Sequence, residues 1–140
     1  VIMRVENWDT KLSNYIVRSA SKKFRYGKAD CVNFVLGGIE TIVGKKVFDL
    51  PYGSIKDAKK IITELNKKDL LDIAKDIAKQ NNFKEIHTNF ARRGDIVFLE
   101  TKEELGGTMG ICQGEQSIFK FKNGQENVPT NKCSIAWRIE

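Results

Sequence analysis

The chain reads as an α+β domain with its helices packed on a C-terminal antiparallel sheet. Three observations predict this. Apolar residues recur at three- and four-residue spacing up to about residue 80, the pattern changes to alternation from Phe83 onward, and Gly, Asn and Pro punctuate the second half at hairpin intervals. At 140 residues there is one domain, 1–140, long enough to bury about 68 to 70% of its unfolded surface around one core.

The first helix is predicted over Asn7 to Ser21, with Asn7 as its cap and Leu12, Tyr15, Ile16 and Ala20 on one face. Lys22 to Ala29 is a connection in which Phe24, Tyr26 and Gly27 form a tight aromatic turn. The central helix runs from Asp30 to Val43 on Val32, Val35, Leu36, Ile39 and Val43, capped by Asp30 and ended by Gly44. It should pack against the first. Lys45 to Gly53, with Pro51, is a loop. Ser54 to Asp57 resembles a capping box with a shorter acid and opens a helix whose Ile55, Ala58, Ile61, Ile62 and Leu65 face inward. A fourth helix spans about Asp69 to Gln80 on Leu70, Ile73, Ala74 and Ile77.

Strands follow at Ile96 to Leu99, Thr108 to Gln113, Ser117 to Lys122, Gln125 to Val128 and Ser134 to Ile139. Asn123-Gly124 is the strongest hairpin signal, and Phe119 and Phe121 share a face.

Composition narrows the function classes. A hydrophobic content of 41% with 30% charged residues is that of a soluble globular protein, and no apolar run is long enough for a membrane span. The start, Val1 to Arg4, lacks the order of a secretion signal and fits a non-ATG start or a trimmed end. The odd number of cysteines (Cys31, Cys112, Cys133), without a CxxC or Cys/His cluster, predicts neither a disulfide framework nor a zinc site. They read as reduced thiols made in a cytoplasm, and no metal or cofactor is expected. The net charge of +6 leaves nucleic acid, an anionic polymer or an acidic subunit as conceivable contacts. A solvated lysine surface accounts for it more simply, since no stacking-aromatic motif accompanies the lysines.

One position carries candidate chemistry. Cys31 falls in the first turn of the central helix, where free N–H groups and the helix dipole favour a thiolate, while Asp30 opposes it. A lone cysteine beside an apolar face is also an ordinary small hydrophobe. His87, the single histidine, reads as a strand-edge residue rather than a base, and Asp95 as the cap of its own turn. Cys112 and Cys133 read as core residues, Tyr26 and Trp137 as core or pocket-wall aromatics.

Asp30-Cys31-Val32-Asn33-Phe34-Val35 resembles the Asp-Cys-Ser-Gly-Phe-Val signature of NlpC/p60-type, papain-like cysteine peptidases. Gly94 to Phe98 is similar to that family's Gly-Asp-Leu-Val-Phe strand, and Thr108 to Ile111 to its His-Val-Gly-Ile strand. The chain also resembles, over nearly its whole length, a small family of unknown function from tailed phages and prophages. That likeness rests on Phe24 to Cys31, Gly94-Asp95, Met109 to Ile111 with Gly114, and Ala136-Trp137-Arg138.

The resemblance implies a papain-like NlpC-type fold with Cys31 as nucleophile and Asp30, Tyr26, Asn33 and Trp137 around a binding cleft. It also marks departures. Thr108 stands where the peptidases carry the histidine base, Phe119 or Lys120 where they carry its orienting residue, Phe24 where they carry a tyrosine, and Asn33 where they carry glycine. A hydroxyl cannot accept the thiol proton near neutral pH. Two functions follow as expectations: a degenerate tail-associated virion protein made in the host cytoplasm, contacting other virion proteins or peptidoglycan, or an active peptidoglycan hydrolase using Cys31. A basic nucleic-acid module, resting on charge alone, is the weaker third.

Overall fold

The helices form where apolar stripes coincide with capping residues. The computed structural model describes residues 3–26, 28–47, 54–65, 67–102 and 105–140. Four helices lead: α1 (Trp8–Ala20), α2 (Cys31–Val43), α3 (Ile55–Glu64) and α4 (Leu70–Gln80). Six strands follow: β1 (Lys84–Ile86), β2 (Ile96–Glu100), β3 (Gly107–Cys112), β4 (Gln116–Phe121), β5 (Gly124–Pro129) and β6 (Ile135–Arg138). Short 3-10 turns cover Thr88–Phe90 and Thr130–Lys132. This is the expected α+β class. Among the described residues no helix is long and apolar enough to cross a membrane.

Side-chain caps start three of the helices. The carboxylates of Asp30 and Asp69 and the hydroxyl of Ser54 accept from the backbone N–H of Asn33, Asp72 and Asp57, at 2.8, 3.0 and 3.1 Å. Gly44 closes α2 at φ 77°, as expected. Asn7 departs from expectation. It sits at the N-cap position of α1 in a left-handed conformation (φ 59°) and its side chain makes no capping bond, because capping needs extended backbone there. Two inward assignments are also corrected. Leu65 lies beyond the last turn of α3 and is 47% exposed, and Ala20, the last residue of α1, is exposed while Ser19 is buried in its place. The aromatic turn at Gly27, the Pro51 loop and the side chain of Ile55 lie outside the described residues.

The strands form one antiparallel sheet in the order β1-β6-β2-β3-β4-β5. Its register sorts side chains onto two faces. Ile96 pairs with Ile111 and Phe98 with Met109, all buried against α1, α2 and α4 with Trp137 and Ile139. The alternate row, Val97, Ala136, Cys112 and Phe119, forms a second buried cluster with Cys133. Both Cys112 and Cys133 are therefore core residues, and burial pushes the Cys133 thiol up to about 11, with Cys112 adding to it. Phe119 and Phe121 stack at 5.9 Å on this face.

The glycine in the Met109-Gly110-Ile111 motif has a packing reason. A Cβ at Gly110 would lie 2.7 Å from the carbonyl oxygen of Ile118 and 2.7 Å from the ring of Phe119, so β4 closes on β3 only because that atom is missing. Gly110→Ala should lower stability by about 1–3 kcal/mol, read as a shift in denaturant midpoint at unchanged slope. Gly37 plays the same part between helices. The Tyr15 hydroxyl donates to the Phe34 carbonyl at 2.7 Å and occupies the space a side chain at Gly37 would need. This draws α1 against α2.

A carboxylate ties the chain's distant parts. Asp95, fully buried, caps its own turn by accepting from the Arg92 N–H at 2.7 Å, and takes two bonds from Arg138 at 3.2 and 2.8 Å and one from Arg4 at 3.4 Å. Arg4 stacks on Trp8 at 4.2 Å and donates to the Ile139 carbonyl at 2.8 Å. Hydrogen bonding to Asp95 raises the Arg138 guanidinium, whereas burial lowers that of Arg4 despite the same carboxylate.

Candidate functional site: a cleft beside Cys31

The approach to Cys31 is a tight turn. Arg25 and Ala29 bridge through paired backbone bonds of 3.1 and 2.8 Å, Phe24 meets Tyr26 edge to face at 5.0 Å, and the Lys122 ammonium lies 5.7 Å from the Tyr26 ring. The turn delivers the chain to Asp30, whose carboxylate also takes the Asn33 side-chain amide at 3.1 Å. Cys31 is thereby fixed as the first residue of α2, the position where a helix offers unpaired N–H groups.

Opposite it stands the start of β3. The Thr108 hydroxyl is in hydrogen-bonding contact with the Cys31 sulfur, as are the backbone amides of Met109 and Val32. These contacts favour the thiolate. Burial outweighs them and, with the Asp30 carboxylate adding to it, raises the thiol above its ordinary value. The thiolate gain anticipated from the helix start alone is thus overcome by desolvation.

The sulfur opens onto a cleft of about 610 Å³. Phe24 and Tyr26 wall it from the turn, Gly107 and Thr108 from β3, and Phe121 and Glu126 from the β4–β5 hairpin. Such dimensions suit a small ligand or a short peptide segment.

Of the residues singled out in the sequence, Cys31, Thr108, Tyr26, Phe24 and Lys120 share this cleft. Asp30 and Asn33 support it from behind as cap and cap partner, and Asn33 faces a neighbouring recess. Trp137 does not join them; it is buried in the helix-side core, paired with Ile96. His87 is exposed at the end of β1, its Nδ1 accepting from the Asn89 N–H at 3.1 Å and its ring against Phe90. Strand β1 is three places from β3, roughly 14 Å at ordinary strand spacing, far beyond the reach a general base needs. Phe119 belongs to the opposite face.

Lys120 has a part that sequence reasoning missed. Its ammonium is buried and donates to the carbonyls of Ser19 and Lys22 at 2.6 and 2.8 Å, capping the end of α1 from within the sheet. Burial, and next Lys22, lower its pKa. The signal was present in the alternation: Lys120 is in phase with Ile118 on the helix-facing side of β4, where a charge demands a partner.

A search of curated proteins finds no relative of this chain. A family model described as a domain of unknown function, DUF6950, matches residues 3–139, and the chain belongs to that family.

Proposed function

We propose that this chain is a phage or prophage tail-associated virion protein with an NlpC-like, papain-like scaffold that has lost hydrolysis and uses the cleft beside Cys31 for docking. The occupants we assign to that cleft are a neighbouring tail protein or a segment of peptidoglycan. One observation carries the reading: the group opposite the Cys31 sulfur is the Thr108 hydroxyl, and the single histidine is at the far side of the sheet. A papain-like reaction needs a base to take the thiol proton and return it to the leaving amine. Thr108 can do neither near neutral pH, and the raised thiol does not ionise there by itself. The helix start, the facing strand and the cleft support kinship with cysteine hydrolases; the lost proton acceptor supports a binding role.

Timed alkylation with iodoacetamide, read peptide by peptide, tests this. At pH 7 Cys31 should label slowly, within about tenfold of Cys112 and Cys133, and faster only as the pH rises past the ordinary thiol range. Incubation with muropeptides should release no fragments. Rapid labelling of Cys31 at pH 7, together with cleavage that Cys31→Ser abolishes, would establish the active hydrolase instead. A docking role also predicts that complexes with tail proteins survive Cys31→Ser, which keeps the shape of the cleft wall.

A further inference from the structure

Beside the Cys31 cleft is a second recess of about 190 Å³, between the end of α1, the 22–29 connection, the start of α2 and strand β4. Four cations line it: Arg18, Lys22, Lys28 and the buried Lys120. No carboxylate does so, and among the described residues none of the four makes an ion pair with an acid. Lys120 has spent its hydrogen bonds on the neutral oxygens of Ser19 and Lys22, which leaves its full charge uncompensated in the wall. Arg18, Lys22 and Lys28 are exposed and carry mobile donors at the rim. Asp30, whose buried carboxylate accepts from the Asn33 amide at 3.1 Å, and Glu40, through its field on the Tyr15 hydroxyl, act nearby without lining the recess. Tyr15 itself is pushed up to about 12 by burial and stays neutral, donating to the Phe34 carbonyl.

From this arrangement we infer that the recess binds a compact multivalent oxyanion of phosphate type, held by Arg18, Lys22 and Lys28 over the fixed charge of Lys120. The charge count decides the class. Three adaptable cations around a fourth that cannot move away match an anion of two or more charges better than a single carboxylate, and the volume admits a phosphoryl or pyrophosphoryl group but not a base-paired duplex. Lys120 also lines the Cys31 cleft, but Cys31 does not line this recess, so the anion site stands apart from the reading of Cys31.

Isothermal titration of the full chain with inorganic pyrophosphate at low ionic strength tests it. Saturable one-to-one binding is expected. The double variant Arg18→Gln/Lys28→Gln should weaken it by about tenfold or more, whereas Lys75→Gln/Lys79→Gln, which removes equal charge from α4, and Cys31→Ser should leave it within about twofold. In the unsubstituted chain, amide resonances of residues 18–28 and 33 should move together on titration. Absent binding, equal weakening in both double variants, or shifts centred elsewhere would overturn the site. Tighter capture of a single-stranded oligonucleotide, equally sensitive to the α4 lysines, would also overturn it and identify a diffuse nucleic-acid surface.

Discussion

Asp95→Ala should destabilise the protein by about 3–5 kcal/mol, the largest loss expected from any single polar side chain in it. The carboxylate is fully buried and satisfied by Arg138, Arg4 and the Arg92 N–H. Removing it leaves two half-buried guanidiniums facing each other across an emptied site and an amide without its acceptor. For a chain of this size the loss corresponds to a fall in Tm of about 10–15 °C, measurable by calorimetry. Asp95→Asn, which keeps the shape and one acceptor, should cost less but still more than an exposed pair such as Lys60–Glu64. A fall in Tm under about 3 °C for Asp95→Ala would mean that the arginines find water at no cost and that the cluster does not organise the fold.

Thr108→His should raise the alkylation rate of Cys31 at pH 7 by about 10- to 100-fold. The effect is electrostatic. A thiol raised above its ordinary value is mostly protonated at pH 7, whereas an imidazolium in contact with a cysteine sulfur brings thiol pKa values down to about 3–7. The gain in thiolate exceeds the loss of nucleophilicity that accompanies a lower pKa. Thr108 already reaches the sulfur and lines a cleft with room beyond it, so the ring has space to enter. The opposite change gives the opposite sign: Thr108→Val removes a bond that favours the thiolate and should slow labelling further. Both rates are read by mass spectrometry on folded protein. An unchanged rate in Thr108→His at unchanged Tm would show that a base at position 108 does not act on the Cys31 sulfur.

Most of the helical half was legible because its determinants are local. Asp30 with Asn33, Ser54 with Asp57 and Asp69 with Asp72 each lie three residues apart, within a single turn. The hairpin at Asn123-Gly124 is equally local, with Lys122 and Asn123 joining Phe121 to its partner Gly124. The meeting of Cys31 with Thr108 was not visible in spacing; it followed from motifs matched in order, since α2 and β3 touch only through tertiary structure. The arginine cluster was hidden for the same reason. Arg138 is 43 residues from Asp95 and Arg4 is 91, so Gly94-Asp95 and Ala136-Trp137-Arg138 read as separate motifs although they share a salt bridge. Asn7 shows the reverse failure: the residue type suits a cap, but its left-handed backbone is not the extended conformation a cap needs. Lys120 was readable only with the strand phase in hand.

The hydrogen bond from Arg4 to the carbonyl of Ile139 brings the segments around residues 4 and 139 side by side. They meet near Asp95, whose carbonyl accepts from Cys112 at the far end of β3 from Thr108. Four residue steps along β3, about 14 Å, separate that meeting point from the Cys31 cleft. A fluorophore or affinity handle attached beside the Arg4–Ile139 contact would leave from one pole of the sheet while the cleft stays open at the other.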